Sequence, residues 1–165
     1  MPHTNIDDSA PGIEMIRAEM RQQHVDAVAS LNAAARLAGR VAAPIRRTGR
    51  LVPIGMGGSH CINRTAEALY RAQGIDTIAI TASEQLYQPL SGLEDCTRIL
   101  VSQSGEPAEI VRMLNKGDGG GEGFGITLDG NSRLGRSLPC LVDLPAPDVM
   151  AGLPPACDLG QEDNR

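Results

Sequence analysis

The stretch whose reading decides the fold is Leu51-Val52-Pro53-Ile54 followed by Gly55-Met56-Gly57-Gly58-Ser59. A short apolar run reads as a buried strand, and the glycine-rich segment after it reads as a turn into a helix. That helix is predicted from about His60 to Gln73, rich in Ala, Leu and Arg, and stops at Gly74. Pro53 is awkward inside the strand, because proline has no N–H to give to a neighbouring ladder.

The same alternation repeats downstream. Thr77–Ile80, Arg98–Ser102, Phe124–Leu128 and Cys140–Leu144 read as further strands, with helices over about Pro107–Leu114 and Ser132–Ser137. Lys116–Gly123 is a glycine-rich loop. Upstream, Ile13, Ile16 and Met20, then Val28, Leu31, Ala35 and Ala38, form one helical stripe. Pro44 is expected to kink or restart that helix, and Arg46 to Gly49 to close it into a turn. Strands alternating with helices predict an α/β, three-layer, flavodoxin-like fold: a five-stranded parallel sheet with helices on both faces. The expected layout is a flexible arm over 1–12, one domain over 13–145 and an irregular proline-rich tail over 146–165.

Composition narrows the function classes. The chain of 165 residues suits one domain. Its aromatic residues are Phe124, Tyr70 and Tyr87, so the core must be aliphatic and base stacking has little to work with. Net charge is −5 with no long basic run, so nucleic acid is not an expected partner. No apolar run approaches the ~18 residues of a membrane span, and no apolar signal core opens the chain. The expectation is a cytoplasmic protein with no membrane partner. Cys61, Cys96, Cys140 and Cys157 are widely spaced and form no CxxC pair, which predicts reduced thiols and no metal site. The first loop lacks GxGxxG, so no dinucleotide cofactor is expected.

On parallel sheets ligands bind beyond the carboxyl ends of the strands. Two loops fall there. In Gly55–Ser59, glycines let backbone approach an anion, the next helix offers N–H groups, and Ser59 adds a hydroxyl; Ser59 reads equally as an ordinary N-cap. In Ser102-Gln103-Ser104-Gly105-Glu106, two hydroxyls, an amide and a glycine can surround a phosphate, or simply serve turn and cap chemistry. Two such loops at neighbouring strand ends favour a shared anion site. His60 lies beside the first loop as a helix-start residue within reach of a ligand, and Glu84 is either a ligand contact or a cap for the helix leading to Tyr87.

Together these motifs resemble the sugar isomerase (SIS) family. Gly55–Ser59 is similar to its first glycine-serine loop, Ser102–Glu106 to its Ser-Gln-Ser-Gly-Glu motif, Ala82-Ser83-Glu84 to an Ala-Ser-Glu stretch, and Asn131-Ser132-Arg133-Leu134 to the segment after the fourth strand. The similarity covers roughly residues 13–145. The resemblance implies a module that binds a hexose or hexosamine 6-phosphate without cofactor or metal. It implies that Ser102, Gln103 and Ser104 hold the phosphate and that Ser59, with Gly57 and Gly58 in its loop, meets the sugar; Glu84 is a further candidate contact. It also implies the first of two modules, as in the isomerase half of glucosamine-6-phosphate synthase and the fructosamine-phosphate deglycases, with a homodimer or a second SIS module in trans as partner. The chain departs from the pattern at Pro107, where the family usually has Thr or Ser, and after Ala146, where the family's second half would begin. Three readings stay open: an isomerase or deglycase half whose catalytic residues are unknown, a non-catalytic sugar-phosphate sensor, and a remnant without independent activity.

Overall fold

The computed structural model describes residues 11–91, 95–117 and 122–143. The chain divides into two units. Of the first, residues 11–28 are described, the opening of helix α1 (Pro11–Thr48); there Ile16 and Met20 are exposed. The second unit, Ala29–Pro145, contains the sheet.

Pro44, expected to kink or restart α1, lies inside one continuous helix that closes at Gly49, as the sequence places its turn. The helix continues to Thr48, whose hydroxyl donates to the Pro44 carbonyl at 3.1 Å. Gly49 then takes φ +67°, a left-handed conformation that stops the helix at no Cβ cost.

Strand β1 (Arg50–Gly55) is central. On one side it pairs in parallel with β4 (Thr97–Val101), from Leu51↔Thr97 to Gly55↔Val101. Outward from β4 come β5 (Glu122–Thr127) and β6 (Cys140–Asp143), also parallel. On its other side β1 meets two short pieces, β2 (Asp76–Thr77) and β3 (Ile80–Thr81), where one unbroken strand over Thr77–Ile80 was expected. The break has a cause. The Ile78 N–H donates to the Leu51 carbonyl, so Leu51, and Pro53 two residues on, turn their backbone groups to this side. Pro53 has no N–H to offer, and the ladder lapses until Ile80. The strand order is therefore β2/β3–β1–β4–β5–β6, the flavodoxin-like order, with its switch point between β1 and β4. The parallel α/β fold expected from the sequence is the fold observed.

Alternation along the strands feeds two cores. Val52, Ile54 and Leu100 face Leu86 of α3 (Ala82–Tyr87), Ile110 and Met113 of α4 (Ala108–Lys116) and Leu134 of α5 (Arg133–Ser137). Leu51, Ile99 and Phe124 face the other way, onto Val41 of α1 and the half-buried Tyr70 of α2 (Gly57–Ala72). Burying an aliphatic side chain of this kind contributes about 1.5–3 kcal/mol. Cys96 is buried in the first core, whereas Cys61 on α2 is exposed; both are free thiols. Among the described residues no helix is long and apolar enough to cross a membrane, and no cluster of metal-ligating side chains occurs.

Candidate functional site at the switch point

The register Gly55↔Val101 ends β1 and β4 side by side, so the two loops read from the sequence leave the sheet next to each other. The first is tighter than expected. Helix α2 begins at Gly57, not His60, and Met56, whose side chain has no oxygen to accept a hydrogen bond, is its N-cap. No side chain caps this end. Ser59 is thus the third helical residue and not a cap; its N–H and that of His60 both turn back to the Met56 carbonyl. Gly57 holds φ +48°, which favours glycine, while a methyl group on Gly58 would meet nothing within 4 Å. The space above both glycines is open.

The floor of this loop holds His60, which the sequence already places beside it, and Asn63, which no motif in the sequence joins to the site. Asn63 is buried, and a Cβ on Gly55 would lie 3.0 Å from its Nδ2. Asn63 Nδ2 and the nearby His60 Nδ1 find no hydrogen-bond partner among the described residues. The signal available was spacing alone: position 63 falls on the sheet-facing side of a helix started at 57.

The second loop is held by its own chemistry. Ser102 is buried, and its Oγ accepts the Gly105 N–H at 3.1 Å. Gly105 sits at φ +69°, with any Cβ driven into Ser132. The Gln103 carbonyl accepts the Leu128 N–H and the Thr127 hydroxyl, and Glu106 Oε1 accepts the Arg133 N–H at 2.6 Å. This loop is therefore latched onto the segment between β5 and α5, including the Asn131–Leu134 motif. Ser104 and the side chain of Gln103 stay exposed, although Ser104 Oγ lies 3.4 Å from the Glu106 N–H. Pro107 is the N-cap of α4 and supplies no side-chain cap.

Glu84 closes a capping box at the start of α3. Its Oε2 accepts the Thr81 N–H at 2.6 Å and the Thr81 hydroxyl at 2.9 Å, and its own N–H donates to Thr81 Oγ1. The Thr81 backbone bond, then the hydroxyl, then the fields of His60 and Arg64 hold the Glu84 carboxyl below the usual carboxylate range. A carboxylate so held is a weak proton acceptor. The adjoining Ser83 hydroxyl lies 3.7 Å from Met56 Sδ, which ties this helix start to the first loop.

No protein-family model and no curated protein matches the sequence. Solved structures do. A candidate phosphosugar isomerase involved in capsule formation, from Bacteroides fragilis, superposes with TM-score 0.60 at 25% identity, over 88% of this chain and 78% of its own. The fold is that of the sugar isomerase (SIS) family. The same SIS fold appears in an Escherichia coli protein solved in complex with a sugar phosphate (TM-score 0.62, 24% identity, 88% of this chain and 81% of that one). It appears again in tagatose-6-phosphate ketose/aldose isomerase from Escherichia coli (TM-score 0.64, 16% identity), where 78% of this chain spans 40% of the other. SIS neighbours thus come in two sizes, one close to the length of this chain and one in which this chain spans less than half.

Proposed function

We propose that this chain binds a sugar phosphate, of the hexose or hexosamine 6-phosphate class, at the switch point between β1 and β4. The observation that carries the reading is the pair of neutral, donor-bearing loops that leave adjacent parallel strands, one opening on an uncapped helix start. The phosphate sits on Ser102, Gln103 and Ser104, and the sugar lies towards Gly57, Gly58 and Ser59, with Glu84 at the edge. The sugar phosphate bound to the Escherichia coli neighbour supports a sugar phosphate as the ligand. Uncapped N–H groups at a helix start favour an anion.

The module, proposed to span residues 13–145, positions substrate and does not by itself move a proton between carbons. That step needs a base within about 3 Å of the carbon acid, and the only acid read near the first loop, Glu84, is engaged by Thr81. Turnover is supplied by a second copy or a second SIS module. Exposed Ile62 and Leu69 on α2, with Leu31 on α1, support self-association, since exposed apolar surface of this kind is commonly covered by a like subunit. Thermal shift with fructose 6-phosphate, glucosamine 6-phosphate and their unphosphorylated sugars tests the binding claim. A larger shift with the phosphates is expected; equal shifts for sugar and sugar phosphate remove it.

A further inference from the structure

A second concave site lies away from the switch point, between α3 and α4. It is an open groove of about 380 Å³, lined by Leu86, Tyr87, Arg112, Asn115 and Lys116. That volume falls in the range of small-molecule sites. One wall is apolar: Leu86 and the ring of Tyr87, which is 67% exposed. The other carries two cations four residues apart on α4, which places them one turn apart on one face. Neither Arg112 nor Lys116 makes an ion pair among the described residues. Arg112 Nη1 donates to the Tyr87 hydroxyl at 3.0 Å, and Lys116 Nζ reaches the Leu86 carbonyl at 3.5 Å. The one acid of α4, Glu109, pairs with neither, and Glu84 of α3 is turned to Thr81. A third cation reaches the rim, where Arg133 Nη2 donates to Asn115 Oδ1 at 2.8 Å.

Two like charges one turn apart are mildly destabilising, and an anion held between them offsets their repulsion. Their spacing suits two linked anionic groups better than one, and an exposed tyrosine ring beside them offers a face for a flat ring. A sugar phosphate has the anion but no aromatic ring to stack on Tyr87. We propose that the α3–α4 groove is a binding site for a nucleoside diphosphate, with the diphosphate between Arg112 and Lys116 and the base against Tyr87. The site shares no residue with the sugar-phosphate loops and stands or falls separately from them.

The test is titration calorimetry of the full chain with ADP, AMP, adenosine and pyrophosphate. ADP is expected to bind more tightly than AMP, and more tightly than either adenosine or pyrophosphate, each of which presents only half of the ligand. The double variant Arg112→Gln with Lys116→Gln should weaken ADP at least tenfold, and Tyr87→Ala should weaken ADP while leaving pyrophosphate unchanged. These side chains are exposed, so both variants should melt as wild type does. Ser104→Ala serves as the control and should bind ADP unchanged. Absence of ADP binding at millimolar concentration overturns the proposal, as does equal affinity in the double variant. Pyrophosphate binding as tightly as ADP also overturns it, because the tyrosine wall then recognises nothing.

Discussion

Glu67 Oε2 accepts the backbone N–H of Ala79 at 3.0 Å, at the place where the ladder between β1 and its outer neighbour has lapsed. The Glu67 side chain is only 6% exposed, and Arg64 and Arg71 bracket it at 2.8 and 2.9 Å. Arg71 Nε in turn donates to the Thr77 carbonyl at 2.7 Å. Helix α2 thus replaces, through side chains, backbone partners that the interrupted outer strand lacks. Glu67→Ala should lower stability by about 1–3 kcal/mol, since it leaves a buried N–H without an acceptor. Glu67→Gln keeps an oxygen for Ala79 and should lose less. Urea unfolding of the three forms decides it: equal midpoints for Ala and Gln would mean that the Ala79 bond contributes nothing.

The second loop permits a contrast between its serines. Ser102→Ala removes the buried acceptor of the Gly105 N–H and should cost about 1–3 kcal/mol of stability. Ser104 is exposed, so Ser104→Ala should stay within about 0.5 kcal/mol of wild type. Fructose 6-phosphate should bind both variants more weakly. A Ser104→Ala protein that binds the ligand as wild type does would take Ser104 out of the phosphate site.

The glycines separate in the same way. Gly105→Ala adds both a disfavoured left-handed backbone and a collision with Ser132, and should both destabilise the chain and abolish sugar-phosphate binding. Gly58→Ala places its methyl in open space and should leave the fold intact. Its effect on binding then reports ligand approach alone. Parallel melts and titrations are sufficient, and a Gly105→Ala protein with wild-type stability would refute the latch.

Pro107 caps α4 without a side-chain bond. Pro107→Thr supplies a hydroxyl at an N-cap, where Thr is favoured, and restores an N–H. Hydrogen bonds to a charged group contribute roughly 1.5–3 kcal/mol, so affinity for a sugar phosphate should rise tenfold or more by calorimetry. Unchanged affinity would place the phosphate elsewhere.

Glu84 gives a pH prediction. Its folded-state pKa is depressed, chiefly by the Thr81 N–H. The stabilisation it contributes is therefore present above the ordinary carboxylate range and is lost as pH falls through the depressed value. The group is largely in solvent, so the effect should be local fraying of α3 and not global unfolding. Acid titration followed by NMR should show the Thr81 amide losing protection in the wild type, and no such step in Glu84→Gln. The same variant checks the catalytic reading. Solvent deuterium should not enter fructose 6-phosphate with either form of the isolated chain; incorporation that Glu84→Gln abolishes would make Glu84 the base.

The sheet and both loops were legible because each strand is a compact apolar run and each loop is bounded by glycine. The two strand-end loops could be read as one site for the same reason, since a parallel α/β order puts its switch point at β1 and β4. What the sequence hid was set at a distance. The split of Thr77–Ile80 into β2 and β3 originates in Pro53, on the neighbouring strand. Pro53 is misplaced for a central strand by local rules, and only the register shows that its missing N–H faces the outer side, so that the rung lost is the one between β2 and β3. The start of α2 at Gly57 defeats propensity, because glycine is a poor helix former unless geometry at the strand end demands it. Pro44 within α1 is the reverse case: local rules predict a kink or a restart, and packing of Val41 and Ile45 in the cluster with Phe124 carries one continuous helix through.

The broken outer strand bears on how the molecule behaves in a crowded solution. An exposed sheet margin ordinarily offers free donors and acceptors to any extended chain and can seed runaway sheet growth. Here the Thr77 carbonyl and the Ala79 N–H are already taken by Arg71 and Glu67, and β2 and β3, two residues each on either side of the gap, are too short to serve as a template. The proline that costs the sheet one rung thereby protects this margin from fibre-like self-pairing.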